Sequence, residues 1–310
     1  MKSLKELFAR MKGPRHDEAP EESRRRLLLS PAPALLLASG VSTPLVAASL
    51  AAPASAQEAP KSRIDKILRA GTLRVGTFLQ YAPYTFKNPA GEADGWDTDV
   101  AKALAADMGV KPEFIDNTWD GIIPALQADK FDVIIAAMSN TKKRSLVIQF
   151  THPYYMAMNA FIYRAADEQR FAKLEAFNDP KLQVSVLIQD ASHLALERFF
   201  PKAQVLDFNS AAEAILAVQT NKVDCSIAEL SFLTDYAKQH TGLRVKAVDF
   251  PGATSPLAMA LTAGPENTHL RVFLNLSIQH FFWTGQFEPL YRKWFPDATV
   301  PGPGRFISPL

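Results

Sequence analysis

The sequence predicts an α/β protein made of two α/β units with a cleft between them. Three observations lead there. Strand and helix patterns alternate as β-α-β-α-β-α up to about Arg144, the order of a sheet with right-handed crossovers. A second α/β series follows the extended run Ala160–Arg164. The chain has 310 residues, 47% hydrophobic and 21% charged, which is ordinary globular composition and enough for two units. A ligand belongs in the cleft, at the C-terminal ends of the strands.

Taken in order, Ile64, Ile67 and Leu68 have helical spacing, and Gly71 to Gly76 reads as a turn and strand. Gly71 to Gly76 is not a GxGxxG pattern, so no dinucleotide site is expected. Tyr81 to Phe86 reads as an aromatic loop suited to a pocket wall. Trp96 to Met108 is a helix with Val100, Leu104, Ala105 and Met108 inward and Asp97 and Asp99 near its positive end. Lys111 to Ile115 is a strand, and a helix is predicted to start at Asn117–Asp120. Thr151 to Tyr155 reads as a bend. In the second unit, strands are predicted at 182–188, 204–206, 223–227, 244–248 and 257–261. Helices are predicted at 190–199, 210–220 and 231–239, then a long one at 267–283 that Gly285 breaks, and a last one at 287–295. The tail from Pro296 carries little periodicity and reads as loose.

The stretch Phe131 to Phe150 joins structure to chemistry. Val133 to Ala137 reads as a buried strand that stops on Ser139-Asn140-Thr141. Thr141 is a good N-cap for a following helix, and Arg144 stands three residues on. A hydroxyl, free N–H groups and a guanidinium are the parts of a carboxylate site. The alternative is a strand-to-helix corner with a solvated Lys-Lys-Arg run.

Composition excludes several classes. The net charge of +2 divides into +3 over residues 1–56 and −1 over the remaining 254. No basic surplus is left for nucleic acid. The single cysteine, Cys225, allows no intramolecular disulfide and reads as a buried thiol. The six histidines lack metal-ligand spacing, so no metal site and no cofactor are expected.

Residues 1–56 read as a cleaved export signal. Ser23-Arg24-Arg25-Arg26 leads into leucines, and Ala54-Ser55-Ala56 is an A-x-A pattern before Gln57. Paired arginines after Ser resemble the twin-arginine export signal; an ordinary secretory signal with a basic start is the alternative. The expected location is the periplasm. The stretch is rich in Ala, Ser and Pro, which disfavours a retained membrane anchor.

The motifs carry a resemblance. LRVGT at Leu73–Thr77, YAPY at Tyr81–Tyr84 and GWDTDVAKALA at Gly95–Ala105 come first. TWDGIIPAL at Thr118–Leu126, FDVIIAAMSNTKKR at Phe131–Arg144 and FTHPYY at Phe150–Tyr155 follow. NKVDCSIAE at Asn221–Glu229 and YRKWF at Tyr291–Phe295 complete the set. In this order they resemble the extracytoplasmic solute-binding proteins of polar amino-acid ABC importers, bacterial solute-binding protein family 3, over residues 63–295.

The resemblance implies a two-lobed periplasmic-binding-protein fold with two crossover strands. Residues 57–157 and 254–310 would form lobe 1, and residues 158–253 lobe 2. Arg144 would grip the ligand's α-carboxylate, helped by the Ser139 hydroxyl and a backbone N–H near Ala137 or Thr141. Glu229 would hold the α-ammonium, and Tyr81 and Trp119 would sandwich the ligand. The implied partners are an amino acid and ABC permease membrane subunits, with the protein itself a monomer.

Departures from the family pattern bear on specificity. Gln189-Asp190-Ala191-Ser192 replaces the usual Gly-Thr or Gly-Ser, so Ser192 is a candidate replacement hydroxyl. Asp190 is either an N-cap or a ligand contact. Glu229 replaces the usual Asp, and Lys142-Lys143 replaces the usual Pro-Glu. The lysines would be solvated or would draw in an anionic ligand. Phe78 stands where binders of basic amino acids tend to carry an acid.

Two other functions compete. Exported cyclohexadienyl dehydratases share the fold and need a carboxylate general acid, for which Glu229 is in the right neighbourhood. Their Asn-Pro-Gly-Gly-Thr-type turn is absent, and no nucleophile–base pair is found, so no enzyme is expected. A ligand-sensing receptor module docking to a separate membrane protein is the other.

Overall fold

The computed structural model describes residues 62–250 and 253–296. The expected signal, its cleavage site and the tail from 297 lie outside the described residues.

Helix α1 (Arg63–Ala70) is capped by Ser62, whose hydroxyl accepts the Asp65 N–H at 3.3 Å, and ends at Gly71 with φ 65°. It buries Ile64 and Ile67. Strand β1 (Thr72–Thr77) follows; β2 (Gln80–Tyr81), β3 (Thr85–Lys87) and β4 (Ala93–Asp94) form a small antiparallel sheet where a loop is predicted. Helix α2 (Trp96–Asp107) buries Val100, Leu104 and Ala105 of the predicted face, together with Trp96 and Ala101. Strands β5 (Lys111–Asp116) and β6 (Val133–Ile134) flank β1 in parallel, with helix α3 (Ile122–Gln127) between them in sequence.

Strand β7 (Ile148–Arg164) is the main difference from the sequence reading. The expected bend at Thr151–Tyr155 is inside this seventeen-residue strand. Pro153 stays in it because the pairing with β12 (Thr254–Thr262) is irregular there, with register shifts on both sides of Ala258, opposite Pro153. Up to Met158, β7 pairs with β12; from Asn159 it pairs with β10 (Cys225–Glu229), and from Ala160 with β11 (Leu243–Ala247). One continuous sheet therefore runs β5-β1-β6-β12-β7-β10-β8-β9, where β8 is Gln183–Leu187 and β9 Gln204–Phe208. The parallel strands β5, β1 and β6 centre the first lobe, and β10, β8 and β9 the second.

The second lobe carries helices α4 (Ser192–Phe199), α5 (Ala211–Gln219) and α6 (Leu230–Gln239). Its core is aromatic: Phe161 stacks on Phe177 at 4.0 Å, and Phe171 on Phe177 at 4.6 Å. Cys225 lies fully buried, as expected. Helices α7 (Thr268–Trp283) and α8 (Phe287–Trp294) are separated by Gly285, at φ 74°. Helix α8 returns to the first lobe, where Trp96 meets Phe287 and Tyr291 edge to face.

The helix predicted after Thr141 does not form. A three-residue 3-10 turn, Arg144–Leu146, stands there. The chain must enter β7 at Ile148, and Lys142-Lys143 would oppose a helix dipole at that end. The expected carboxylate site at a helix N-terminus is corrected accordingly. The helix predicted from Asn117–Asp120 begins only at Ile122.

Candidate functional site

A cavity lies between the lobes. From the first lobe it is lined by Phe78, Tyr81, Trp119, Ala137 and Ser139; from the second by Leu187, Asp190, Ser192 and Glu229. Asn159 and Ser255, on the two crossing strands, complete it. Seven of the nine candidate residues therefore gather around one space. Thr141 and Arg144 are not among its lining residues.

The strand ends make this site. β6 stops after Ile134, and the segment to Ser139 runs along the cavity with Ala137 in a left-handed conformation, φ 48°. Asp97 holds that turn. Its Oδ2 accepts the Ala137 N–H at 2.5 Å, and its Oδ1 accepts the Tyr154 hydroxyl at 2.7 Å. The Ala137 N–H, expected to face a carboxylate, is thus bound to Asp97. Burial raises the Asp97 carboxyl to about 7, with Tyr154 and the Ala137 N–H pulling the other way. The sequence suggested only a helix-dipole role, because nothing local marks Asp97 as 1% exposed. Asp97→Ala leaves the buried Tyr154 hydroxyl and the half-buried Ala137 N–H unmatched. It is expected to cost about 2–4 kcal/mol, lowering Tm by roughly 5–15 °C in circular-dichroism melts.

Arg144 stands against the cavity's first-lobe wall. Its guanidinium lies over the Trp119 ring, 5.2 Å from the centroid. Nη1 donates to the Ser139 carbonyl at 2.9 Å, and Nη2 to the Gln189 carbonyl of the second lobe at 2.9 Å. Gln189 presents that carbonyl from a left-handed backbone, φ 58°. Burial lowers the Arg144 pKa and the charge of Asp190 raises it back in part. Arg144 forms no ion pair among the described residues. Two of its five N–H donors are used in these bonds. The Thr141 hydroxyl accepts the Arg144 backbone N–H at 3.2 Å and so shapes the turn.

Glu229 ends β10 and caps α6, its Oε2 accepting the Phe232 N–H at 3.0 Å. Burial pushes its carboxyl up to about 7, against hydrogen bonds from the Phe232 N–H, Tyr84 and Ser231. Tyr81 reaches it from the first lobe: the Glu229 backbone N–H donates to the Tyr81 hydroxyl at 3.3 Å. The Tyr81 ring stacks on Phe232 at 4.1 Å and 11°. The lobes therefore meet through Tyr81–Phe232 and Arg144–Gln189.

Asp190 is not the N-cap of α4, which is Ala191, and its side chain instead shapes the turn before the helix. Its Oδ1 accepts the Ser192 N–H at 2.8 Å, and it lines the cavity. The Ser192 hydroxyl donates to the Asn159 Oδ1 at 3.0 Å. Asn159 pairs with Glu229 across β7 and β10, so the three polar residues share one wall. Sequence reasoning missed Asn159. Its signal was a lone amide in the apolar run between Tyr155 and Tyr163.

Comparison with known proteins agrees with this architecture. The profile described as bacterial extracellular solute-binding proteins, family 3, matches residues 73–297. A probable amino-acid ABC transporter-binding protein of Haemophilus influenzae is 27% identical over 232 residues, 74% of this chain and 87% of that protein. A cyclohexadienyl dehydratase of Pseudomonas aeruginosa is 32% identical over 136 residues, 44% of this chain and 50% of its own length. Among solved structures, an ancestral amino acid-binding protein, AncCDT-1, described as a precursor of cyclohexadienyl dehydratase, superposes with a TM-score of 0.68. It is 35% identical and covers 76% of this chain and 99% of its own. With the profile spanning well over half of its length, the chain belongs to family 3 of the bacterial extracellular solute-binding proteins.

Proposed function

We propose that the chain binds a free α-amino acid between its lobes and delivers it to the membrane permease subunits of an ABC importer. The observation that carries this is the half-buried Arg144 guanidinium, which pairs with no carboxylate among the described residues and stands by a cavity that also holds the buried Glu229. A zwitterion supplies both missing charges: its carboxylate to Arg144 and its ammonium to Glu229. Leaving one buried charge unpaired costs roughly 3–5 kcal/mol, so the two contacts are required together. Tyr81 and Trp119 flank the bound ligand, and the Ser139 and Ser192 hydroxyls are available to its polar atoms. With Asp190 and Glu229 against Arg144 alone, the site favours a ligand with a second cationic group.

In this reading the protein is an exported periplasmic monomer, cleaved near Ala56/Gln57. Its lobes divide at 157/158 and 253/254. It acts by binding and release, without a metal, a cofactor or a chemical step. Closure follows from a ligand that bridges two lobes.

One observation favours a second reading. A buried carboxyl at about 7 suits a general acid, as a dehydratase acting on prephenate or arogenate would need. A thermal-shift panel of amino acids, diamines, dicarboxylates, prephenate and arogenate separates the two. Ligand at 100 times Kd adds roughly 2.7 kcal/mol, or about 5–10 °C in Tm for a protein of this size. A shift with one amino-acid group supports binding. No shift with any amino acid, together with turnover of prephenate, supports the enzyme.

A further inference from the structure

Tyr81 is held by the second lobe at two points. It lines the cavity from the first lobe, and its ring stacks on Phe232 of the second, with centroids 4.1 Å apart and planes 11° from parallel. Its hydroxyl accepts the Glu229 backbone N–H at 3.3 Å. Both rings are buried, Tyr81 to 8% exposure and Phe232 to 5%. Phe232 is not among the residues that line the cavity, so a molecule held there meets Tyr81 and not Phe232. Phe232 stands in the first turn of α6, and its own N–H donates to the Glu229 Oε2. One residue thus joins the second-lobe cap to the first-lobe aromatic loop.

The stack belongs to a longer row of rings. In the first lobe Tyr81 neighbours Phe78 at 6.4 Å, Phe78 neighbours Trp119 at 5.9 Å, and Arg144 lies over Trp119. In the second lobe Phe232 neighbours Tyr236 at 6.4 Å. The Tyr81–Phe232 pair is where this row passes from one lobe to the other. Two further contacts between the lobes are polar. Arg144 donates to the Gln189 carbonyl, and the Tyr155 and Ser231 hydroxyls lie 3.2 Å apart. Polar groups of this kind exchange a protein partner for water when the lobes part, at little net cost. The two rings have no such replacement, and separation exposes their apolar faces. Of these contacts, the stack opposes separation most.

Resting on the amino-acid reading of the cavity, we propose that Phe232 is a positioning residue for ligand retention. It holds the Tyr81 ring against the cavity and clasps the aromatic loop to α6. A ligand enters while the lobes are apart and the stack is unmade, so Phe232 does not govern entry. The ligand leaves only after the stack is broken, so Phe232 sets the rate of release.

The test is tryptophan-fluorescence relaxation after rapid mixing with L-arginine or L-lysine or, should neither give a thermal shift, with the common amino acid that gives the largest one. The slope of the relaxation rate against concentration is the entry rate constant, and the intercept is the release rate. Phe232→Leu keeps apolar bulk and removes the ring. It should raise release by about three- to tenfold, the worth of a buried aromatic pair. Entry should stay within about twofold, because the contact forms after encounter. Phe232→Tyr keeps the ring and should stay within about twofold of the parent in both rates. A residue that merely packs α6 would lower the melting temperature and leave both rates alone. Unchanged release in Phe232→Leu, entry altered as much as release, or equally fast release in Phe232→Tyr overturns the proposal. Should the leucine variant not fold, Phe232→Met carries the same test, since methionine fills apolar space without a ring. If the parent protein binds none of the common amino acids, the amino-acid reading falls and the clasp with it. Binding by the parent with unaltered release in the variant removes the clasp alone.

Discussion

Arg144→Ala should weaken amino-acid binding by about 10²- to 10³-fold, the expected result of leaving a ligand carboxylate buried without its partner. Free protein should lose less. Arg144 forms no ion pair among the described residues, and its loss removes hydrogen bonds to the Ser139 and Gln189 carbonyls and the contact with the Trp119 ring. Each hydrogen bond is worth about 1 kcal/mol and the ring contact about 0.5–1, so Tm should fall by roughly 5–10 °C. The signature is a split: a modest fall in melting without ligand and no ligand-induced shift. Calorimetric titration checks it, and an affinity within a few-fold of the parent would remove Arg144 from the site. Arg144→Lys should fall between, because lysine restores the charge but not the planar fork that holds two oxygens.

Glu229→Gln should have the second large effect, with two readouts of different origin. The first is selectivity. α-Amino ligands should weaken by about 10²-fold, the worth of an ammonium–carboxylate pair taken out of water. Carboxylates of the same side chain lacking the amine should change little. Equal loss for both would make Glu229 a structural cap of α6. The second readout is pH. Burial raises the Glu229 carboxyl to about 7 in the folded state, against an ordinary value of 4.5. A raised carboxyl binds more protons folded than unfolded between those values. Its stabilisation is therefore complete below about 4.5 and is lost as pH rises towards 7. Asp97, also raised to about 7, acts in the same direction. Free protein should accordingly melt higher at pH 5 than at pH 8. Glu229→Gln should recover part of the difference at pH 8, an effect of order 3 kcal/mol. An ammonium at Glu229 reverses the preference: affinity should weaken as pH falls below 7, and binding near pH 6.5 should release protons. Titrations in buffers of unequal ionisation enthalpy measure that release.

Much of this was legible because the patterns are strong. β1, α2 and the α7–Gly285–α8 break sit where apolar spacing and glycine placed them. The eight motifs between Leu73 and Phe295 anticipated the profile match at 73–297. Residues 148 positions apart, as Tyr81 and Glu229 are, could be grouped at one site only through the family resemblance. Where the reading failed, the cause was tertiary. Pro153 marks a bend locally, yet a register shift against β12 lets it stay in β7. Thr141 is a good N-cap locally, yet β7 begins too soon for a helix. Asp97 looked like a dipole acid, because its partners, Ala137 and Tyr154, lie 40 and 57 residues away. Gln189 gave no sign that its carbonyl would meet Arg144, since a positive φ is uncommon outside glycine.

A crystal structure grown with the amino acid that gives the largest thermal shift is the most direct test. The account predicts one ligand between the lobes, its carboxylate about 3 Å from the Arg144 guanidinium and its ammonium about 3 Å from the Glu229 carboxylate. A ligand whose carboxylate turns to Lys142 and Lys143 while Arg144 keeps only its carbonyl partners would contradict it. So would an ammonium held by Asp190 with Glu229 still bonded only within the protein.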